Sequence, residues 1–149
     1  MFEPRSILVP TDFSEFSDKA LMAAQDLAKK FGSKVYLLHV VDEGLHSCAG
    51  QYCLDPALVE AIKEDSQKGA REKMQAEYTR VRGNGIDVEF DIRLGTPYEE
   101  ILKEQKDRKA DLIIMGSHGH TGHIKHLIGS VAERVSRSAG CPVLIIREQ

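Results

Sequence analysis

The chain has 149 residues, 42% of them hydrophobic and 29% charged. That balance fits one folded domain, residues 1–149, burying about 68–70% of its unfolded surface, with no room for a second. The formal net charge is -3 and the basic residues are dispersed, so no long-range field favours a nucleic-acid partner. No apolar run approaches membrane-spanning length, and the opening MFEPRSILVPTDF lacks the basic leader and apolar block of a secretory signal. Cys48, Cys53 and Cys141 are an odd number in a chain able to hold its own core, which points to a reducing compartment and a cytoplasmic protein.

The first apolar run, residues 6–9, is closed by Pro10 and precedes a segment where Leu21, Ala24, Leu27, Ala28 and Phe31 recur at helical spacing, with Gly32 as the stop. Residues 35–41 (VYLLHVV) are too continuously apolar for a half-exposed strand and predict one covered on both faces, as in a parallel sheet. Asp55 and Pro56 suit the N-cap and first position of a long charged helix ending near Arg82, before the turn at Gly83, Asn84 and Gly85. Residues 87–94 (DVEFDIRL) alternate like a strand towards the sheet edge, and Thr96-Pro97-Tyr98-Glu99 opens another helix. Residues 111–115 form the fourth strand. Gly140 and Pro142 then break the chain before the last one, residues 143–146.

Five strands separated by four helices, joined by right-handed crossovers, predict a doubly wound α/β sandwich. Ligands in such sheets sit beyond the carboxyl ends of the strands, where strand order reverses. If the first and fourth strands are neighbours there, the loops after Pro10-Thr11-Asp12 and after Met115-Gly116 face one crevice.

The segment LIIMGSHGHTGHIKHLIGSVAER, residues 112–134, carries the chemistry. A buried strand ends at Met115, glycines follow at 116, 119, 122 and 129, and a helix opens at Gly129-Ser130, with Glu133 at capping-box spacing from Ser130. The free N–H groups of such a helix start attract anions. The loop is neither a P-loop, lacking Gly-Lys-Ser/Thr, nor a dinucleotide fingerprint, lacking Gly-x-Gly-x-x-Gly. Asp12 has two readings of equal weight, a turn-capping residue and a metal-holding carboxylate. His39 lies in a buried strand pattern and receives no chemical role. His46, Cys48 and Cys53 supply three soft ligands within eight residues, but the spacing is unlike a zinc knuckle and no fourth ligand is evident. A free-thiol loop is preferred there to a zinc site.

These residues resemble the universal stress protein family, nucleotide-binding type, over essentially the whole chain. The similarity rests on Gly116, two residues, Gly119, nine residues, then Gly129-Ser130. It is supported by residues 7–12 (ILVPTD), Leu38-His39-Val40, Gly95-Thr96-Pro97 and Cys141-Pro142-Val143-Leu144. The resemblance implies strand order 3-2-1-4-5, a homodimer pairing Val143, Leu144, Ile145 and Ile146 of two subunits, and ATP beside the first and fourth strands. It further implies that Gly116, Gly119, Gly129 and Ser130 hold the triphosphate, with Met115 and His118 in the same loop and Val131 just inside the helix turn. Asp12 would hold Mg2+ or Mn2+ with the nucleotide, Pro10 and Thr11 would line the adenine side, and Val40 would read the adenine edge through its backbone. His120 stands where many relatives carry arginine, and a mostly neutral imidazole compensates phosphate charge less. The function so implied is a regulatory ATP-binding stress-response switch acting on an unknown protein partner. A slow Mg- or Mn-dependent ATPase and a nucleotide-free dimeric scaffold are the rival readings.

Overall fold

The computed structural model describes residues 1–42, 56–119 and 127–147. The elements in chain order are β1 (Ser6–Pro10), α1 (Glu15–Phe31), β2 (Lys34–Asp42), α2 (Pro56–Gly83), β3 (Val88–Gly95), α3 (Pro97–Arg108), β4 (Leu112–Gly116), α4 (Ser130–Ser138) and β5 (Val143–Ile146). All strand pairs are parallel and the sheet order is β3-β2-β1-β4-β5, as expected.

Strand period sets the two faces of the core. Ile7, Val9, Val35, Leu37, Leu112 and Ile114 point to one side, where they meet Ala20, Leu21 and Ala24 of α1 and Met74 and Val81 of α2. Leu8, Leu38, Ile113 and Met115 point to the other, against Ile101 of α3 and Ala132 and Val135 of α4. Both faces of the central strands are therefore covered, which is why their sequences read as continuous apolar runs.

Local signals explain the element ends. Ser14 caps α1, accepting the Ser17 N–H at 3.3 Å, and Gly32 closes it in the left-handed region at φ 70°. Pro97 occupies the first turn of α3. On the edge beyond β2, the fully buried Glu104 carboxylate is held between Arg93 Nε at 2.6 Å and Arg108 Nε at 3.1 Å, locking α3 onto β3.

The arrangement opens a cleft at one place. β1 and β4 share only the register pairs Ile7 with Leu112 and Leu8 with Ile113, whereas β1 stays paired with β2 out to Pro10 and Leu38. Beyond Leu8, β4 turns to β5, pairing Gly116 with Ile146. The Thr11 N–H goes to Leu38 O at 2.8 Å, so by strand alternation the N–H of residue 10 would face β4, and proline has none. The sheet parts where its strand order reverses.

Between α1 and α2, Glu77 Oε2 is buried without a hydrogen-bond partner. Burial first, and then the neighbouring Asp18, push the Glu77 carboxyl above its ordinary range, with Arg80 opposing. An acid whose folded pKa is raised favours folding while protonated, and that advantage is lost as pH rises from the unfolded value through the folded one. Glu77→Gln should therefore raise the melting temperature at pH 8, by on the order of 1–2 °C after solvent screening. The gain should vanish near about pH 4, where the wild-type carboxyl is also neutral; thermal unfolding across that range checks it.

Candidate functional site

At the parted strands the structure brings the expected residues around a single cleft of about 590 Å3. Pro10, Thr11 and Asp12 enter from the end of β1, Val40 from β2, Met115, Gly116, His118 and Gly119 from β4 and its loop, and Gly129, Ser130 and Val131 from the start of α4. The size suits a nucleotide-sized ligand. His120 lies outside the described residues, as do His46, Cys48 and Cys53 of the zinc reading. Among the described residues no group of three or more histidine, cysteine, aspartate or glutamate side chains is placed to hold a metal.

The start of α4 differs from the expected cap. Gly129, not Ser130, is the N-cap, and no side chain caps the helix. The Glu133 N–H is the first to bond within the helix, to Gly129 O at 3.0 Å, and the Glu133 carboxylate turns to Arg137 at 2.8 Å instead of closing a capping box. Glycine serves here because its backbone runs against residue 117: its N–H donates to Ser117 O at 2.6 Å, and an added Cβ would stand 3.0 Å from that same oxygen. The N–H groups of Ser130, Val131 and Ala132 have no acceptor within the helix, and all three residues line the cleft. With the helix dipole behind them, they form a site for negative charge.

The other glycines have distinct tasks. A Cβ on Gly116 would come within 2.9 Å of the carbonyl carbon and oxygen of Phe16, so this glycine lets β4 pack against α1. Gly119 faces the Asp12 carboxylate, the flexible end of a side chain. Asp12 Oδ1 accepts the Ser14 N–H at 3.0 Å, making the turn-capping bond, while Oδ2 is the atom turned towards Gly119 across the cleft. The turn-capping reading of Asp12 is thus met by Oδ1, and Oδ2 is the oxygen on the Gly119 side.

Sequence reasoning missed three residues that hold this geometry, Ser117, Phe13 and His39. Ser117 is buried, with its N–H on Ile146 O at 3.0 Å and its Oγ 2.9 Å from His118 Nδ1, so it joins β5, the loop and the α4 cap. His118 consequently has one ring nitrogen committed to Ser117, while its Nε2 is buried without a partner and its ring lies 5.7 Å from that of Phe16. Phe13 adopts φ 65°, which costs a non-glycine residue on the order of 1–2 kcal/mol. Its ring rests 4.5 Å from that of His39, whose Nδ1 lies 2.7 Å from Thr11 O. A run of hydroxyl and carboxyl residues in TDFSEFS signals a capped turn, but nothing in it marks a left-handed phenylalanine.

Charge in the cleft is lopsided. Its described lining contains Asp12 and Asp42 and neither lysine nor arginine. Cleft dipoles supply the positive end, and the carboxylates leave room for a cation beside an anionic ligand. Among the described residues no helix is long and apolar enough to cross a membrane.

A sequence profile of the universal stress protein family matches residues 3–147. Universal stress protein MJ0531 of Methanocaldococcus jannaschii is 37% identical over 97% of this chain and 82% of its own. The solved structure of MJ0577, from the same organism, superposes with a TM-score of 0.87 at 33% identity, covering 99% of both chains. A universal stress protein from Archaeoglobus fulgidus, solved in complex with dAMP, shares the fold at a TM-score of 0.66 and 23% identity, over 98% of this chain and all of its own. With a profile match of this extent and a relative this similar, the chain belongs to the universal stress protein family.

Proposed function

We propose that this chain is an adenine-nucleotide-binding module, residues 1–149, that takes ATP in the cleft between β1 and β4 and works as a homodimeric switch in the stress response. The observation that carries this reading is the start of α4, where three successive amides without helical acceptors open into the cleft. The triphosphate lies on those amides, beside Gly116, Gly119, Gly129 and Ser130. The adenine lies towards Pro10, Thr11 and Val40, with Met115, His118 and Val131 completing the walls and His120 in the adjoining loop. The dAMP-bound fold neighbour supports an adenylate as the ligand class.

Asp12 and Asp42 next to a triphosphate repel it, so the proposal includes Mg2+ or Mn2+ between the phosphates and Asp12 Oδ2. No zinc is proposed. The cation-free nucleotide should bind at least about ten-fold more weakly, because its phosphates then approach the cleft carboxylates with no cation between them. Asp12→Asn should shrink that difference. Calorimetry with ATP in Mg2+ or in EDTA measures both. Rapid hydrolysis that requires Asp12 would turn the reading towards an ATPase, and failure to take up any nucleotide would turn it towards a scaffold.

The glycines separate folding from binding. Gly116→Ala forces Cβ onto the Phe16 backbone and should cost the ligand-free protein about 1–3 kcal/mol in urea unfolding. Among the described residues Gly119→Ala meets only the Asp12 side chain, so stability should stay within about 0.5 kcal/mol of wild type while ATP affinity falls. Equal stability losses in the two variants would contradict this division.

Dimerisation is proposed through β5. Its Leu144 is 40% exposed, Val143, Ile145 and Ile146 are half-buried, and β4 pairs only one of its edges. An apolar edge of this kind calls for a partner strand. Leu144→Pro should give monomers or insoluble protein on size exclusion with light scattering; an unchanged dimer would exclude this interface.

A further inference from the structure

The turn at residues 11–13 carries Thr11 and Asp12 into the cleft lining, and its shape is not one the backbone would choose unaided. Phe13 sits at φ 65°, its N–H is drawn back to Thr11 Oγ1 at 3.0 Å, and the next N–H, that of Ser14, is drawn to Asp12 Oδ1 at 3.0 Å. Consecutive residues of β2 address this turn from opposite sides of the sheet. Val40 lines the cleft above, and His39 reaches the turn from below.

We infer that His39 is a positioning residue of the site: its Nδ1–H, donated to the Thr11 carbonyl, together with the Phe13 ring packed at a tilt against its imidazole, holds Asp12 in place to meet the cation and phosphates. The donor assignment follows from the acceptor. A backbone carbonyl cannot donate, so at 2.7 Å the proton must be on Nδ1. The ring contact at 4.5 Å then couples the same imidazole to the one residue of the turn with left-handed backbone, and Lys73 Nζ of α2 lies over the Phe13 ring at 5.3 Å. His39 is not itself among the residues that line the cleft. Its effect on a ligand is exerted through the placement of Asp12.

This inference rests on the nucleotide-binding reading, and two substitutions separate it from a general packing role. The amide nitrogen of asparagine falls where imidazole Nδ1 stood, and that of glutamine where Nε2 stood. His39→Asn should keep amide exchange of Phe13 and Ser14, and ATP affinity with Mg2+, within about three-fold of wild type. His39→Gln should speed exchange at those two amides and weaken ATP by about ten-fold each, the effect of one lost hydrogen bond, while Leu8 and Leu37 stay protected. In the unsubstituted protein, imidazole nitrogen shifts should report the Nδ1–H form. An Nε2–H tautomer, unchanged exchange at Phe13 and Ser14 in His39→Gln, or equal behaviour of the two variants would overturn the inference. A wild type that takes up no nucleotide overturns the nucleotide reading instead, and the exchange comparison then decides alone whether His39 holds the turn.

Discussion

The missing N–H of Pro10 is the constraint around which the site is built. A parallel sheet left to itself would continue its ladder between β1 and β4, and the crevice would close under backbone hydrogen bonds. Here the shared register ends at Leu8 and Ile113, β1 keeps its bonds to β2, and β4 keeps its bonds to β5. On the β1 side the opening leaves no donor unpaired at residue 10, since the N–H that would have faced the gap there does not exist. The turn that follows Pro10 and the loop that follows Gly116 diverge from a common edge and then meet again across the cleft, Asp12 against Gly119.

Much of this was legible in the sequence because it is written in period and punctuation. Continuous apolar runs gave the covered strands, Gly32 and Pro97 the helix ends, and the spacing of Gly116, Gly119, Gly129 and Ser130 pointed to the cleft that these residues line. What escaped was everything that depends on two distant segments touching. The task of Gly116 is set by the Phe16 backbone, that of Gly129 by Ser117 O, and neither contact has a local signature. The cap of α4 was misplaced by one residue for the same reason: Ser130 is the better capping side chain in isolation, but the close approach of residue 117 requires a glycine at the cap, which leaves the serine inside the first turn. His39 reads as a core histidine in its strand, and only the parallel pairing with β1 brings Thr11 O within reach.

The division of labour among the glycines also bears on what the family motif means. A signature of this kind is commonly attributed to ligand approach alone. In this chain two of its three glycines are already required by the ligand-free protein, one for strand-to-helix packing and one for loop-to-cap packing, so the motif would persist even in a member that had lost its nucleotide. The pairing of Gly119 with the Asp12 carboxylate is the better marker of a working site.

The second helix is unevenly rooted. It runs for 28 residues, yet its buried positions are Ala70, Met74 and Val81, and none of residues 56–69 is buried. That first half, about 21 Å of helix, places no residue fully in the core, and a run of this length is marginal by itself in water. Pairs such as Glu64 with Lys68 at helical spacing contribute only about 0.2–0.5 kcal/mol each. A helix rooted at one end in this way should lose order on warming from Pro56 towards Ala70 before the sheet core unfolds, so its first half belongs to the low-stability end of the molecule.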